Sequence, residues 1–168
     1  FAGTSGVLNS LIAQTNYQVV VRQDCSGSFS TNSIPVNFTT PCSSANVPYF
    51  ENFDAVTTPA IPACMSVENV NGGTTWTTVT APTGYTGKTA QYSFSGSLVG
   101  DDWIYTQGLN LTAGTIYNLT FKYGNNSTTF IEKLEVKYGN SPGAAAMANT
   151  IVQYPTINVQ YSMKACYG

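Results

Sequence analysis

The sequence contains no histidine, and only 8% of its 168 residues are charged. Without an imidazole, the usual base of Ser-His-Asp and Cys-His hydrolases is missing, so nucleophilic triads of that kind are excluded. Ser-Lys variants need only a lysine, but no recognised Ser-Lys motif occurs. Six Lys and Arg residues against eight Asp and Glu residues give a net charge of −2 and no basic stripe for phosphates. We therefore expect no nucleic acid partner and no anionic membrane surface as a partner.

Long apolar runs are also missing. No stretch approaches the roughly 20 apolar residues that span a bilayer, and the first residues lack a basic region followed by an apolar run. We expect no membrane insertion and place any targeting signal outside this sequence. Solubility depends on Thr, Ser and Asn, which together with Tyr, Val and Phe favour strands and turns. Helix-forming Leu, Glu, Lys and Arg are scarce, so the composition predicts an all-β fold.

The four cysteines include no Cys-x-x-Cys pair, which disfavours zinc and thioredoxin-like chemistry. An even number favours two disulfides in an oxidising, extracellular or cell-surface location. Three connectivities are open to four cysteines. The order of the neighbouring predicted strands favours a local Cys25–Cys42 bond, which leaves Cys64 with Cys166.

Alternation of apolar and polar residues predicts strands in both halves of the chain. Residues 15–22 and 34–40 show it early in the chain, and residues 117–123 and 132–138 show it later. A short helix is an alternative for the last segment, because Ile131, Leu134 and Tyr138 also have helical spacing. Only residues 144–150, which are Ala-rich and follow Ser141-Pro142, favour a helix, of one or two turns.

Residues 6–42 combine four runs that occur together in one known family: Gly-Val-Leu-Asn-Ser-Leu at 6–11, Tyr-Gln-Val-Val-Val at 17–21, Asp-Cys at 24–25 and Val-Asn-Phe-Thr-Thr-Pro-Cys at 36–42. This set resembles the last three strands of a fibronectin type III domain. Leu11 and Tyr17 match the residues of that family's corner at the base of the sandwich. The first strands have no counterpart, so we infer a fragment of a longer protein.

The second half carries ordered motifs of another kind. They are Tyr-Phe-Glu-Asn-Phe-Asp at 49–54, Thr-Pro-Ala-Ile-Pro-Ala-Cys at 58–64, Asn-Gly-Gly-Thr-Thr-Trp at 71–76, Gly-Asp-Asp-Trp-Ile-Tyr at 100–105, the run 109–123 and the run 132–142. Together they resemble the cleaved-adhesin or choice-of-anchor jelly rolls of secreted Bacteroidota proteins, which are relatives of the MAM domain. That family usually has Trp directly after the Cys, where this chain has Met65, and its last strands have no counterpart here.

These resemblances imply tandem β-sandwiches. Residues 1–42 would be the C-terminal strands of a fibronectin type III-like domain, residues 43–48 a linker, and residues 49–168 a jelly-roll domain that is incomplete at its C-terminus.

Four of the eight acidic residues fall in two clusters, Glu51 with Asp54 and Asp101 with Asp102. Hard oxygen ligands of this kind are what Ca²⁺ prefers, and the resembling jelly rolls often hold a structural Ca²⁺ at matching acids. The alternative is that Asp101-Asp102 are ordinary turn residues and Glu51 is solvated. A glycosidase pair formed by the same carboxylates is disfavoured, because the surrounding sequence lacks the polar and basic residues that orient a sugar.

The aromatic residues suggest a binding surface, since sugar rings stack on exposed aromatic side chains. We expect Trp76 and Tyr85 to contribute to it and Trp103 to face the interior. The alternative is that all three belong to the core, where strand aromatics usually lie.

The function expected from the sequence is that of a non-catalytic, extracellular adhesion or ligand-binding module within a larger secreted or surface protein. Its partner would be a host or environmental glycan or protein. Two alternatives remain open. One is a structural spacer or fibre subunit that self-associates by strand addition from a neighbouring chain, and the other is an accessory domain of a secreted hydrolase.

Overall fold

The computed structural model describes residues 5–83, 85–127, 129–158 and 162–167, the last six by their backbone alone. Strands make up nearly all of its regular structure, so the predicted all-β class is confirmed. The strands are β1 (Asn16–Val19), β2 (Asp24–Cys25), β3 (Ser28–Phe29), β4 (Val36–Thr39), β5 (Ala45–Asn46), β6 (Ser66–Asn69), β7 (Trp76–Thr80), β8 (Lys88–Tyr92), β9 (Asp102–Tyr105), β10 (Leu109–Asn110), β11 (Asn118–Tyr123), β12 (Glu132–Tyr138), β13 (Asn149–Ile157) and β14 (Ser162–Tyr167).

The chain divides into two compact units, Phe1–Ser44 and Ala45–Gly168. Unit 1 contains β1 to β4 and unit 2 contains β5 to β14. Within the described residues the strands form two-stranded sheets, which are antiparallel except for β5 with β10. The division falls inside residues 43–48, the predicted linker, and β5 from that segment belongs to a sheet of unit 2.

Unit 1 is organised by the β1–β4 pair. Tyr17 lies opposite Phe38, and their rings stack with centroids 5.8 Å apart. The strand expected over residues 15–22 is shorter in the structure, where β1 covers Asn16–Val19. Beyond it the hydroxyl of Ser33 accepts a hydrogen bond from Val21 N at 2.9 Å, and Val21 O accepts one from Ser33 N at 2.7 Å. A serine side chain thus takes over one position of the strand ladder.

In unit 2 the longest pair is β12 with β13, which contains two register shifts. Residues 132–138 are therefore a strand, and the helical alternative for them is wrong. The helix expected over residues 144–150 is reduced to one 3₁₀ turn, Ala144–Ala146, without a side-chain cap. β13 begins at Asn149, because the β-branched residues that follow, Thr150 to Val152, favour an extended backbone.

One turn occurs in each unit with the same sequence pattern and the same geometry. Residues 11–17 read Leu-Ile-Ala-Gln-Thr-Asn-Tyr, and residues 111–117 read Leu-Thr-Ala-Gly-Thr-Ile-Tyr. The Tyr17 hydroxyl accepts a hydrogen bond from Ile12 N at 2.9 Å, and the Tyr117 hydroxyl accepts one from Thr112 N at 2.8 Å. The fourth residue of each turn has a left-handed backbone, with φ of 52° at Gln14 and 77° at Gly114. Such a tyrosine corner is a feature of immunoglobulin-like sandwiches.

The predicted disulfide pairing is wrong. Cys25 is a free thiol with an exposed side chain, and the disulfide in the described residues is Cys42–Cys64. Cys64 is therefore not the partner of Cys166, whose side chain lies outside the described part. Strand order was a poor guide because Cys25 pairs with Ser28 in the separate β2–β3 hairpin, and not with the β1–β4 sheet that precedes Cys42.

The two turns provide a matched test of backbone strain. Gly114→Ala should lower the free energy of unfolding by roughly 1–2 kcal/mol, because a Cβ is disfavoured in the left-handed region. No atom lies within 4 Å of the Cβ position, so the penalty is conformational and not steric. Gln14→Gly should have the opposite sign and a smaller size, roughly 0.5 kcal/mol, because glycine relieves the strain but adds unfolded-state entropy. Urea denaturation followed by circular dichroism measures both. A destabilising Gln14→Gly would contradict the assignment.

Candidate functional site

Both tryptophans of the chain converge on the start of β9. The Trp76 indole N–H donates to the Asp102 carbonyl at 3.0 Å, and the Trp103 indole N–H donates to Asp101 Oδ1 at 3.2 Å. We call these four residues, Trp76, Asp101, Asp102 and Trp103, the tryptophan site. Both indoles are half-buried. The structure thus brings together Trp76, predicted to bind a sugar, and Asp101 and Asp102, predicted to bind calcium.

Strand register determines which side chains surround Trp103. In the β6–β9 pair, Glu68 lies opposite Trp103 and Ser66 lies opposite Tyr105, so all four side chains project from one face. The rings of Trp103 and Tyr105 are parallel within 4°, with centroids 6.1 Å apart. Trp76 has its own aromatic neighbour, Tyr92, which is its β7–β8 partner, at 6.0 Å between centroids.

A part-buried hydrogen-bond network fixes Tyr105 next to Trp103. The Tyr105 hydroxyl donates to Glu68 Oε2 at 2.6 Å, and the same oxygen accepts a hydrogen bond from Ala144 N at 2.8 Å. These two hydrogen bonds, the one from Tyr105 first, hold the pKa of Glu68 below its ordinary value. Burial, and then the hydrogen bond to Glu68, raises the pKa of Tyr105 far above 10.0. The network attaches the 3₁₀ turn to β6 and β9.

One cation lies beside Trp103. Lys137 Nζ is 5.6 Å from the centroid of the Trp103 ring, within the range of a cation–π contact. The same ammonium is 3.0 Å from Glu135 Oε2. Its hydrogen bond to Glu135 is the main reason that the pKa of that carboxyl lies below the ordinary value. With Glu68 and Asp101 on the same face, the surroundings of Trp103 carry more negative than positive charge.

Glu51 and Asp54 make contacts within their own loop and with β8. Glu51 Oε1 accepts a hydrogen bond from Phe53 N at 2.6 Å. Asp54 Oδ1 accepts one from Lys88 N at 2.7 Å, and Lys88 Nζ donates to the Asp54 carbonyl at 2.9 Å. Within the described residues, no group of three His, Cys, Asp or Glu side chains comes together as a metal site would require. The four acids predicted as calcium ligands are not gathered into one site.

Tyr85, the other residue predicted to bind a ligand, is half-buried beside an aromatic cluster of β11 and β13. Burial, and then the neighbouring Tyr123, raises the pKa of Tyr85. Tyr123 in turn stacks on Tyr154, with centroids 4.2 Å apart. Tyr85 is thus not among the residues that form the tryptophan site.

Glu68, Tyr105 and Lys137 were not recognised in the sequence as site residues. Glu68 is separated from Trp103 by 34 residues, and no short motif joins them. Only the β6–β9 register places them opposite each other. Trp103 itself was expected in the interior because of its neighbours Asp102 and Ile104. Their alternation indicates a strand, but it does not show which face of that strand is covered.

Comparisons with family models, with curated proteins and with solved structures give no match to this chain. The resemblances to fibronectin type III domains and to adhesin jelly rolls therefore rest on residue patterns alone. In the part of the chain that the structure describes, no helix is long and apolar enough to cross a membrane.

The Glu68 network predicts a defined acid sensitivity. A carboxyl whose pKa is lowered on folding stabilises the native state above its unfolded pKa, here 4.5, and that contribution is lost as the pH falls through the folded value. We expect Glu68→Gln, which can still accept both hydrogen bonds, to flatten the loss of thermal stability below pH 4.5. Glu132→Gln, at an exposed position, is the control and should leave the acid limb unchanged. Superimposable profiles for wild type and Glu68→Gln would disprove the role of this network.

Proposed function

We propose that unit 2 is a non-catalytic extracellular module that binds a neutral saccharide at the tryptophan site, and that it serves adhesion or ligand binding within a larger secreted or cell-surface protein. The observation that carries the proposal is the half-buried Trp103 ring, parallel to Tyr105 and bordered by Asp101, Glu68 and Lys137.

The Trp103 ring has the properties of a stacking platform for a sugar. The C–H face of a pyranose packs on an indole, and its hydroxyls need acceptors at the edge of the ring. Asp101 supplies a carboxylate there and already fixes the indole through its N–H. Because the ring is held by hydrogen bonding and packing before a ligand arrives, little side-chain entropy would be lost on binding.

The charges around the ring favour a neutral ligand over an anionic one. Glu68 and Asp101, on the face of Trp103, outnumber Lys137, and Lys137 is already paired with Glu135 at 3.0 Å. A sulfated or uronic sugar would meet net repulsion from these carboxylates at short range. Neutral hydroxyls instead donate hydrogen bonds to carboxylates, and charge-assisted bonds of this type are the stronger ones.

The non-catalytic part of the proposal is supported by the state of the acids. With no histidine in the chain, a general base would have to be a carboxylate. Glu68 accepts two hydrogen bonds, and Asp101 accepts the Trp103 indole N–H. These carboxylates hold structure in place, which favours binding over hydrolysis.

The extracellular part of the proposal is supported by the Cys42–Cys64 disulfide, since such bonds persist in oxidising compartments. Many exposed hydroxyl and amide side chains and few charges are also compatible with a secreted surface protein.

Trp103→Ala should abolish or weaken binding to neutral glycans by at least about tenfold, because a central aromatic anchor typically contributes more than 1.4 kcal/mol. Trp103→Phe should keep part of the affinity. Phe50→Ala, at a side chain that is 82% exposed, is the control and should bind as wild type does. A glycan array followed by calorimetry on the best ligand gives the comparison.

Three outcomes would contradict this proposal. They are an array without any binding, a Trp103→Ala variant with unchanged affinity, and the appearance of new reducing ends when glycans are incubated with the protein.

A second candidate function, a fibre or spacer subunit completed by strand addition, is favoured by the surface of unit 1. Large apolar side chains lie exposed along β4 and the segments beside it: Val21 at 66%, Ile34 at 88% and Val36 at 63%. Exposed apolar strand residues of this kind are recruited when a neighbouring chain adds a strand.

If unit 1 accepts a strand, the protein should form oligomers whose size increases with concentration, and Ile34→Lys with Val36→Lys should return it to a monomer. Light scattering after size-exclusion chromatography measures this. The matched control is Val7→Lys with Leu8→Lys, which adds the same charge outside the strands. A concentration-independent monomer for the wild type would exclude this candidate.

A further inference from the structure

We infer that the ligand of the tryptophan site is a linear neutral oligosaccharide, which extends from Trp103 along a row of polar side chains on β12 and β13. The row consists of Glu135, Lys137, Thr150 and Gln153, and we call it the polar strip. This inference rests on the proposed saccharide binding and adds a second subsite to it. A site that ended at Trp103 would accept a single terminal sugar.

Strand register places the four side chains of the polar strip on one face of the β12–β13 pair. Glu135 and Lys137 are two residues apart on β12, so their side chains project from the same face. Their β13 partners are Gln153 and Thr150. A register shift next to Lys137 inserts one extra residue, Ile151, into β13. Thr150 and Gln153 therefore share this face although an odd number of positions separates them.

Side-chain contacts connect the polar strip to Trp103. Lys137 Nζ is 5.6 Å from the centroid of the Trp103 ring and 3.0 Å from Glu135 Oε2. The other oxygen of that carboxylate, Glu135 Oε1, accepts a hydrogen bond from Gln153 Nε2. Trp103, Lys137, Glu135 and Gln153 thus form a continuous series of contacts. A chain of sugars that begins on the indole would meet the polar strip at Lys137.

The polar strip is accessible and carries no net charge. The side chains of Lys137 and Glu135 are 23% and 41% exposed, and Thr150 and Gln153 are exposed as well. Lys137 and Glu135 compensate each other's charge, so a charged ligand gains no net attraction along the strip. A hydroxyl both donates and accepts, and an amide has two N–H donors and an acceptor oxygen. Such groups match a neutral sugar chain, whose hydroxyls also donate and accept.

The composition of the polar strip also favours a saccharide over a protein partner. Protein interfaces depend on large aromatic or aliphatic side chains, or on Arg, as central anchors. The strip itself contains none of these residues. The contacts of Glu135 with Lys137 and Gln153 hold its side chains in place before a ligand arrives. Little side-chain entropy would therefore be lost when a sugar chain binds.

The test is a series of ligands of increasing length, measured on the full chain. Cello-, manno- and xylo-oligosaccharides, from the monosaccharide to the hexasaccharide, are titrated by calorimetry, with NMR titration for the weakest ligands. In the series that binds, the wild type should bind the tetrasaccharide at least about tenfold more tightly than the monosaccharide, because the added sugars form several hydrogen bonds with the polar strip.

Gln153→Ala should weaken tetrasaccharide binding about three- to tenfold, the effect of one lost hydrogen-bonding side chain. Its monosaccharide affinity should be unchanged, because a single sugar on Trp103 does not reach Gln153. Trp103→Ala should weaken the binding of both ligands. Gln23→Ala, the same change at an exposed position of unit 1, is the control and should bind both ligands as the wild type does. If Gln153→Ala does not fold, Thr150→Ala must show the same selective loss.

The inference is overturned if affinity does not increase with ligand length, if none of the three series binds, or if Gln153→Ala and Thr150→Ala bind the tetrasaccharide as the wild type does. Equal losses for monosaccharide and tetrasaccharide in Gln153→Ala would indicate a structural role and would also overturn it. The proposed function is judged by different results. It stands, without the second subsite, if a glycan of the array binds through Trp103 with an affinity that is independent of its length.

Discussion

Hydrogen bonds between uncharged polar side chains and the backbone connect the segments of this protein. Thr78, which is fully buried, donates its hydroxyl to the Ala60 carbonyl at 2.7 Å. Asn125, also buried, donates to the Ile157 carbonyl at 3.1 Å. In a chain with 8% charged residues, ion pairs cannot take this role. Each such bond contributes only about 1 kcal/mol net, but leaving its buried partner unsatisfied would cost more. At these two places, buried Thr and Asn side chains therefore join segments that are distant in sequence.

The parts of the fold that depend on local alternation were predictable. β11 and β12 were predicted correctly because the side chains along them alternate in polarity. The β-branched Val136 favoured a strand over the alternative helix around Leu134. The turn at residues 11–17 was also recognisable, since Leu11 and Tyr17 keep the spacing of a tyrosine corner. Its second copy at residues 111–117 was missed, although the same Leu-x-Ala-x-Thr-x-Tyr pattern was present. An internal comparison of the sequence with itself would have found it.

Long-range pairing was not predictable, and the errors follow from it. The disulfide involves Cys42 and Cys64, whereas the order of the predicted strands favoured Cys25 with Cys42. The tryptophan site requires the β6–β9 register, which places Glu68 opposite Trp103. Register between strands separated by more than 30 residues is decided by packing and turn geometry, and one shifted residue would reverse every side chain. Composition and alternation therefore predicted the strands, but not that Glu68 would lie opposite Trp103.

Consecutive residues at the start of β9 have opposite orientations, and this separates the carboxylates of Asp101 and Asp102. Asp101 and Trp103 project from one face, where the acid fixes the indole. Asp102 projects from the other, where its carboxylate has no partner. The Asp102 carboxylate would therefore not touch a sugar on Trp103. The backbone of Asp102 is joined to Trp76, whose indole N–H donates to the Asp102 carbonyl. Sequences break local rules mainly where function requires it, and a buried acid without a partner is the clearest such break in this protein.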